Sequence, residues 1–176
     1  MKIDVTITGI AAILQHRFVV DEEDPSANKH SGFRDYSDEV KKSLYLTEDG
    51  KLCQTADQVM GSMIKAAVSF KIPGRGKKTY KDLTKAALIV TPEYIPHKIQ
   101  TWRVDRRMVR IGPARIVRER PRLDEWELDF SIETIDKQFP FAALKDILDE
   151  AGKMQGLGDF RPRFGRFTVT RFKEIK

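Results

Sequence analysis

A single cysteine, Cys53, in 176 residues rules out an internal disulfide and any cysteine-rich zinc site. The three histidines, His16, His30 and His97, are spaced too irregularly for a metal motif. No serine or cysteine stands in a nucleophile constellation, and Cys53 has no histidine near it in sequence. No apolar run approaches the roughly 20 residues of a membrane helix. No charged-then-apolar leader opens the chain. These absences lead to the expectation of a cytoplasmic protein with no metal, no cofactor and no membrane partner. Also scarce is negative charge between residues 97 and 122. Lys98, Arg103, Arg106, Arg107, Arg110, Arg115, Arg118, Arg120 and Arg122 are opposed there only by Asp105 and Glu119, so the segment is +7.

The whole chain carries a net charge of +6, so everything outside that segment sums to −1. With 33% charged and 40% hydrophobic residues, the composition is that of one globular domain over 1–176, large enough to bury a core. Two smaller basic groups lack nearby acids: Lys71, Arg75, Lys77, Lys78 and Lys81, and then Arg161, Arg163, Arg166 and Arg171 beside Asp159 alone. Arginine dominates the main cluster, and its planar fork suits phosphate or carboxylate.

Residues 2–8 alternate, with Ile3, Val5 and Ile7 on one face, as in a half-buried strand. Gly9 marks a bulge or bend, and the apolar pattern resumes through Ile13 and Phe18. Polar residues 21–39 read as a loop. Thr55 followed by Gln58 is a capping box. Val59, Met60, Met63, Ile64, Ala67 and Val68 then form a helical stripe that stops near Pro73-Gly74. Gly76-Lys77-Lys78-Thr79 is not a P-loop, because Lys71 stands where the first glycine is required. Residues 113–120 and 125–134 read as a hairpin closed by Pro121-Arg122-Leu123-Asp124. Its outward Glu125, Glu127, Asp129 and Glu133 are placed to pair with Arg115, Arg118 or Arg120. A second helix spans about 140–153, with Phe141, Leu144, Ile147, Leu148 and Ala151 buried, and a last strand spans about 165–173.

Strand, helix, strand, strand, helix, strand is the βαββαβ order of an α+β, ferredoxin-like (RRM-like) fold. Two long insertions interrupt it, at about 19–54 and 71–112. Between the last helix and last strand lies Gly156-Leu157-Gly158-Asp159-Phe160-Arg161-Pro162-Arg163-Phe164-Gly165-Arg166. Glycines that permit close backbone approach alternate here with arginines, which suits a loop laid against a nucleic-acid backbone. Gly158 and Gly165 are expected to serve that contact from outside the core. Phe164-Gly165-Arg166-Phe167-Thr168-Val169 is only loosely similar to the aromatic motif of RNA-recognition domains, and it lies on the wrong strand.

The element order and three local features resemble the RAMP superfamily (repeat-associated mysterious proteins) of CRISPR systems. Gly9-Ile10-Ala11-Ala12-Ile13-Leu14-Gln15-His16 is similar to its opening strand. Leu52 to Ala67 resembles its segment leading into a helix that bears a small and a basic residue, here Gly61 and Lys65. Gly156, Gly158 and Gly165 match its glycine-rich loop. The resemblance implies a CRISPR-associated, antiviral role as an effector backbone subunit, or as a stand-alone or virus-encoded relative. It implies copies stacked head-to-tail along single-stranded RNA, with other effector subunits as partners. The residues it singles out, together with the basic clusters, are Lys65, Lys77, Lys78, Arg103, Arg106, Arg107, Arg110, Gly156, Gly158, Arg161, Arg163 and Arg166.

Binding rather than catalysis is the expected activity. The alternatives are a metal-independent endoribonuclease of the same fold, and a single-stranded DNA-binding or viral structural subunit. For cleavage, His16 at the end of the first strand is the acid–base candidate. The resemblance adds Asp21, Asp24 and Asp35, since some backbone subunits cut RNA with an aspartate of the first insertion. Asp21, Glu22, Glu23 and Asp24 are also an acidic loop that water alone would solvate.

Overall fold

Alternating apolar residues build the centre of the molecule. The computed structural model describes residues 1–18, 40–136 and 139–175. The acidic stretch with Asp21, Glu22, Glu23, Asp24 and Asp35, and also His30, lies outside them. Strand β1 (Lys2–Gly9) turns Ile3, Val5 and Ile7 inward. Strand β8 (Glu127–Thr134) does the same with Leu128, Phe130 and Ile132. The two pair antiparallel, setting Ile3 opposite Ile132, Val5 opposite Phe130 and Ile7 opposite Leu128. Strands β4 (Leu88–Thr91) and β9 (Phe167–Ile175) complete an antiparallel sheet in the order β4-β8-β1-β9.

Two amphipathic helices cover the apolar face. Helix α1 (Ala56–Ala66) buries Val59, Met63 and Ala66, spaced by three and four residues. Helix α3 (Phe141–Glu150) buries Leu144, Ile147 and Leu148, and Ala151 continues the stripe. These side chains form one core with the sheet. Each large one stabilises the fold by about 1.5–3 kcal/mol through leaving water. The opposite sheet face carries Asp4, Thr6 and Thr8 beside Glu127, Asp129 and Ser131. Hydrogen bonds join Thr6 to Asp129 and Thr8 to Glu127 across the strands.

Several expectations change. The hairpin of 113–120 with 125–134 does not form. Strand β6 (Arg103–Ile111) and strand β7 (Ala114–Leu123) form the hairpin instead, turning at Gly112-Pro113. The strand on the side of β8 away from β1 is β4, which lies inside the stretch 71–112 and follows the short helix α2 (Lys81–Ala87). The acids of β8 therefore do not meet Arg115, Arg118 or Arg120. Glu127 and Asp129 hold Lys98.

Strand β2 (Ile13–Leu14) adds to β7 at Leu123 and Arg122, making a sheet β2-β7-β6. A small ladder joins β3 (Cys53–Thr55) to β5 (Tyr94–Pro96). The bulge in β1 falls between Thr6 and Ile7, against β9, and the chain bends directly after Gly9, at Ile10 and Ala11. Gly9 lets the Trp126 ring approach, since a Cβ there would stand 2.3 Å from Nε1. That nitrogen donates to the Ala11 carbonyl at 2.8 Å. Thr55 does occupy the position before α1, but its side chain makes no capping bond.

Candidate nucleic-acid interface

Three segments remote in sequence line one groove. Adjoining cavities of about 350, 240 and 350 Å³ share Arg161. Helix α1 supplies Asp57, Gln58, Gly61 and Lys65, the stripe opposite its buried face. The end of the first strand region supplies His16, with Tyr45 beside it. The glycine-rich loop supplies Gly158 to Pro162. Among the described residues, and leaving aside the adjoining backbone of α1 itself, no atom comes within 4 Å of the place where a Cβ of Gly61 would stand, so this part of the helix leaves the groove open.

A chain of glutamines fixes one wall. Gln15 and Gln54 are fully buried. The Gln15 Nε2 donates to the Cys53 carbonyl at 2.8 Å and to the Gln54 Oε1 at 2.7 Å, while its Oε1 accepts from the Tyr45 backbone N–H at 2.9 Å. Gln54 Nε2 in turn donates to Gln58 Oε1 at 2.5 Å. Gln58, expected as a capping partner of Thr55, is instead the outer end of this relay. Buried amide groups cost free energy unless bonded, so the relay holds Tyr45 and Gln58 in place.

The loop is tied to the molecule by its backbone. Asp159 N–H donates to the Leu14 carbonyl at 2.8 Å, Gly165 N–H to the Ala12 carbonyl at 2.8 Å, and Leu157 N–H to the Gly165 carbonyl at 2.9 Å. Gly158 and Gly165 have φ of 73° and 72°. A Cβ at Gly158 would lie 2.4 Å from the Leu14 oxygen, and one at Gly165 would lie 1.8 Å from the Leu157 oxygen. The close contacts expected of these glycines are thus made within the chain, and Leu157 and Phe164 of the same loop are buried. The expectation of a loop outside the core gives way to that of a built element whose rim faces the groove.

The hairpin packs against this loop through arginine. Arg120 forms an ion pair with Asp159 and lies over the Phe160 ring, its guanidinium carbon 5.6 Å from the centroid. Arg107 and Arg122 cover Phe164 at 4.6 and 5.6 Å. In β6 and β7, Arg103, Asp105 and Arg107 share a face with Arg118, Arg120 and Arg122 across the ladder. Asp105 takes Arg107 and Arg122, and those two guanidinium groups, working against burial, hold its carboxyl below the usual range. Asp124, bonded by Arg103 and Arg122, is lowered to about 2.

The expected cations therefore divide. Lys65 and Arg161 line the groove. Arg103 is held by Asp124 at 2.5 Å, Arg106 by Glu119 and Arg107 by Asp105. Arg110 donates to the Gly112 carbonyl at 3.1 Å. Arg163 and Arg166 are exposed, and Lys77 and Lys78 sit on an exposed turn bridged at Lys71 and Thr79 that lines none of the three cavities. Gly156 and Gly158 shape the loop. His16 borders the groove. Partial burial lowers its pKa, against the pull of nearby Asp159 and with the help of Arg120 and Arg118. Cys53 is buried and its thiol is pushed up to about 11. Among the described residues there is no cluster of metal-ligating side chains and no helix long and apolar enough to cross a membrane.

Tyr45, Gln58 and Phe160 were not expected at the site. Their only sequence signals are an isolated aromatic residue, a misassigned cap and an aromatic residue within the loop. No protein-family model matches the chain, and a comparison with curated proteins finds no match.

Proposed function

We propose that this protein binds single-stranded nucleic acid, RNA first, along the groove that runs past Lys65 and Arg161. The observation that carries the reading is the convergence of the first strand's end, one face of α1 and the glycine-rich loop on that groove. Lys65 and Arg161 make no ion pair among the described residues, so both are available to phosphates. Gly61 leaves room for a backbone to approach α1. The same three segments carry the resemblance to the RAMP superfamily. The sheet order β4-β8-β1-β9, with both long helices on one face, supports a ferredoxin-like core for the domain. Residues 92–126, between β4 and β8, would then be an excursion bearing the basic hairpin. Copies stacked along a strand, with effector subunits beside them in antiviral defence, complete the proposal.

The test is equilibrium binding of a labelled 20-nucleotide RNA, and its DNA counterpart, across a salt series. Affinity should fall with salt, each phosphate neutralised adding about −0.7 to the logarithmic slope. Gly61→Glu places a carboxylate in the groove where the fold leaves open space, and it should abolish binding with the fold intact. Normal binding by Gly61→Glu would place the strand elsewhere. A second reading, metal-independent cleavage of RNA, rests on His16 beside Tyr45 in the same recess. It predicts His16-dependent scission in excess chelator.

A further inference from the structure

Phe160 is the one described residue other than glycine with a positive φ, at 60°. An L-residue with a bulky ring is disfavoured there, and Gly or Asn would suit the backbone better. Strain of this kind persists where the side chain has a task. The neighbouring aromatic residue supplies a comparison. Phe164 is 7% exposed and covered by Arg107 and Arg122, which accounts for it as packing. Phe160 is 39% exposed although Arg120 and Phe164 both contact its ring. Those contacts hold the ring without enclosing it. Its backbone is fixed as well, since Phe160 N–H donates to Asp159 Oδ1 at 2.9 Å. Asp159 is itself tied to Arg120 and to the Leu14 carbonyl. The ring is thus preorganised at the edge of the cavity that Lys65 and Arg161 line.

We propose that Phe160 is a stacking platform for one nucleobase of a strand whose phosphates are held by Lys65 and Arg161. The proposal rests on the groove reading above and adds base contact to it. A base stacks on an aromatic face without regard to its identity, so this contact tolerates any sequence. The guanidinium of Arg120 against the same ring reinforces the aromatic–cation stack.

The experiment uses the full chain, a labelled 20-nucleotide RNA, and a strand of equal length and charge with abasic sites throughout. Phe160→Asn keeps a residue that accepts left-handed backbone and leaves Asp159 to hold Arg120, so its thermal midpoint should fall only slightly. Its affinity for the base-bearing strand should drop about tenfold, the scale of one stacked base. The salt slope should stay unchanged and the abasic strand should be bound as by the unsubstituted protein. Phe160→Tyr should retain full affinity. Equal binding of the base-bearing strand by Phe160→Asn and the unsubstituted protein would overturn the platform and leave the groove standing. An equal loss on the abasic strand would also overturn it. If the unsubstituted protein binds neither strand, the groove reading fails and the platform falls with it.

Discussion

His97 offers a measurement of the core that is independent of any ligand. It is 3% exposed, its ring edge-on to Trp126 with centroids 6.1 Å apart. Neither ring nitrogen has a hydrogen-bond partner among the described residues. A charged imidazolium there would lose its hydration with nothing in return, so burial drives the pKa down from 6.5 to about 4. Between those values the unfolded chain binds a proton that the folded one refuses. Stability is therefore complete above pH 6.5 and is lost as pH falls toward 4. The gap between the two values corresponds to about 3 kcal/mol in the limit, most of it spent by pH 4.5. That is a large fraction of the roughly 5–15 kcal/mol typical of a domain. The perturbation is His97→Phe, which keeps a ring against Trp126 and removes the titration. Urea midpoints at pH 7.5 and 4.5, at fixed ionic strength, give the comparison. The unsubstituted protein should lose about 2–3 kcal/mol more than the variant over that interval. Parallel losses in the two proteins would mean that His97 is protonated in the folded state and that its burial does not govern it.

Glycines should separate into two kinds by thermal denaturation. Gly165→Ala, with its Cβ driven into the Leu157 carbonyl, should cost well over about 2 kcal/mol, whereas Gly61→Ala, in open space within α1, should raise stability by up to about 1 kcal/mol. Ion pairs should separate in the same way in denaturant midpoints. Asp159→Ala removes the partner of the mostly buried Arg120 and should cost about 2 kcal/mol, while Lys145→Ala, whose pair with Asp149 lies one turn away on the surface of α3, should change stability by less than about 0.5 kcal/mol.

Where one periodicity dominated, the sequence was readable. β1 and β8 alternate cleanly, and α1 and α3 repeat their apolar residues at helical spacing, so the central sheet and its cover were legible. β4 was not. Four residues long and directly after a seven-residue helix, Leu88–Thr91 offers too few alternations to stand out. The hairpin misled through proline. Pro121-Arg122-Leu123-Asp124 has the composition of a turn, and proline is rare inside sheets. Pro121 is tolerated in β7 because β2 pairs only as far as Arg122, and beyond it the Pro121 carbonyl accepts the Gln15 N–H at 2.9 Å. At the groove, Arg161 was expected from the alternation of glycine with arginine and His16 from its place at the end of the first strand, while Gly61 and Lys65 were expected from the resemblance to the RAMP superfamily. Tyr45 and Gln58 were not, since buried Gln15 and Gln54 place them by contacts across the fold.

Charge pairing decides what the basic segment can offer a strand. Of the nine cations in 97–122, Lys98, Arg103, Arg106, Arg107, Arg120 and Arg122 hold carboxylates. Arg110, Arg115 and Arg118 hold none among the described residues. The Arg103–Asp124 pair is exposed on both sides, and such a pair is weak and easily displaced, whereas the Glu119 carboxylate that holds Arg106 is 6% exposed. Arg120 differs. It is 8% exposed and braced between Asp159 and Phe160, and releasing it would open the joint between hairpin and loop. The net charge of +7 thus overstates the segment's free cations and conceals a second role. Some of these arginines present charge to solvent, while Arg107, Arg120 and Arg122 fix the glycine-rich loop from behind. Under the proposed reading, phosphate contact falls first to Lys65 and Arg161, which stand at the groove without a carboxylate partner among the described residues, and is open next to Arg110, Arg115 and Arg118 of the segment.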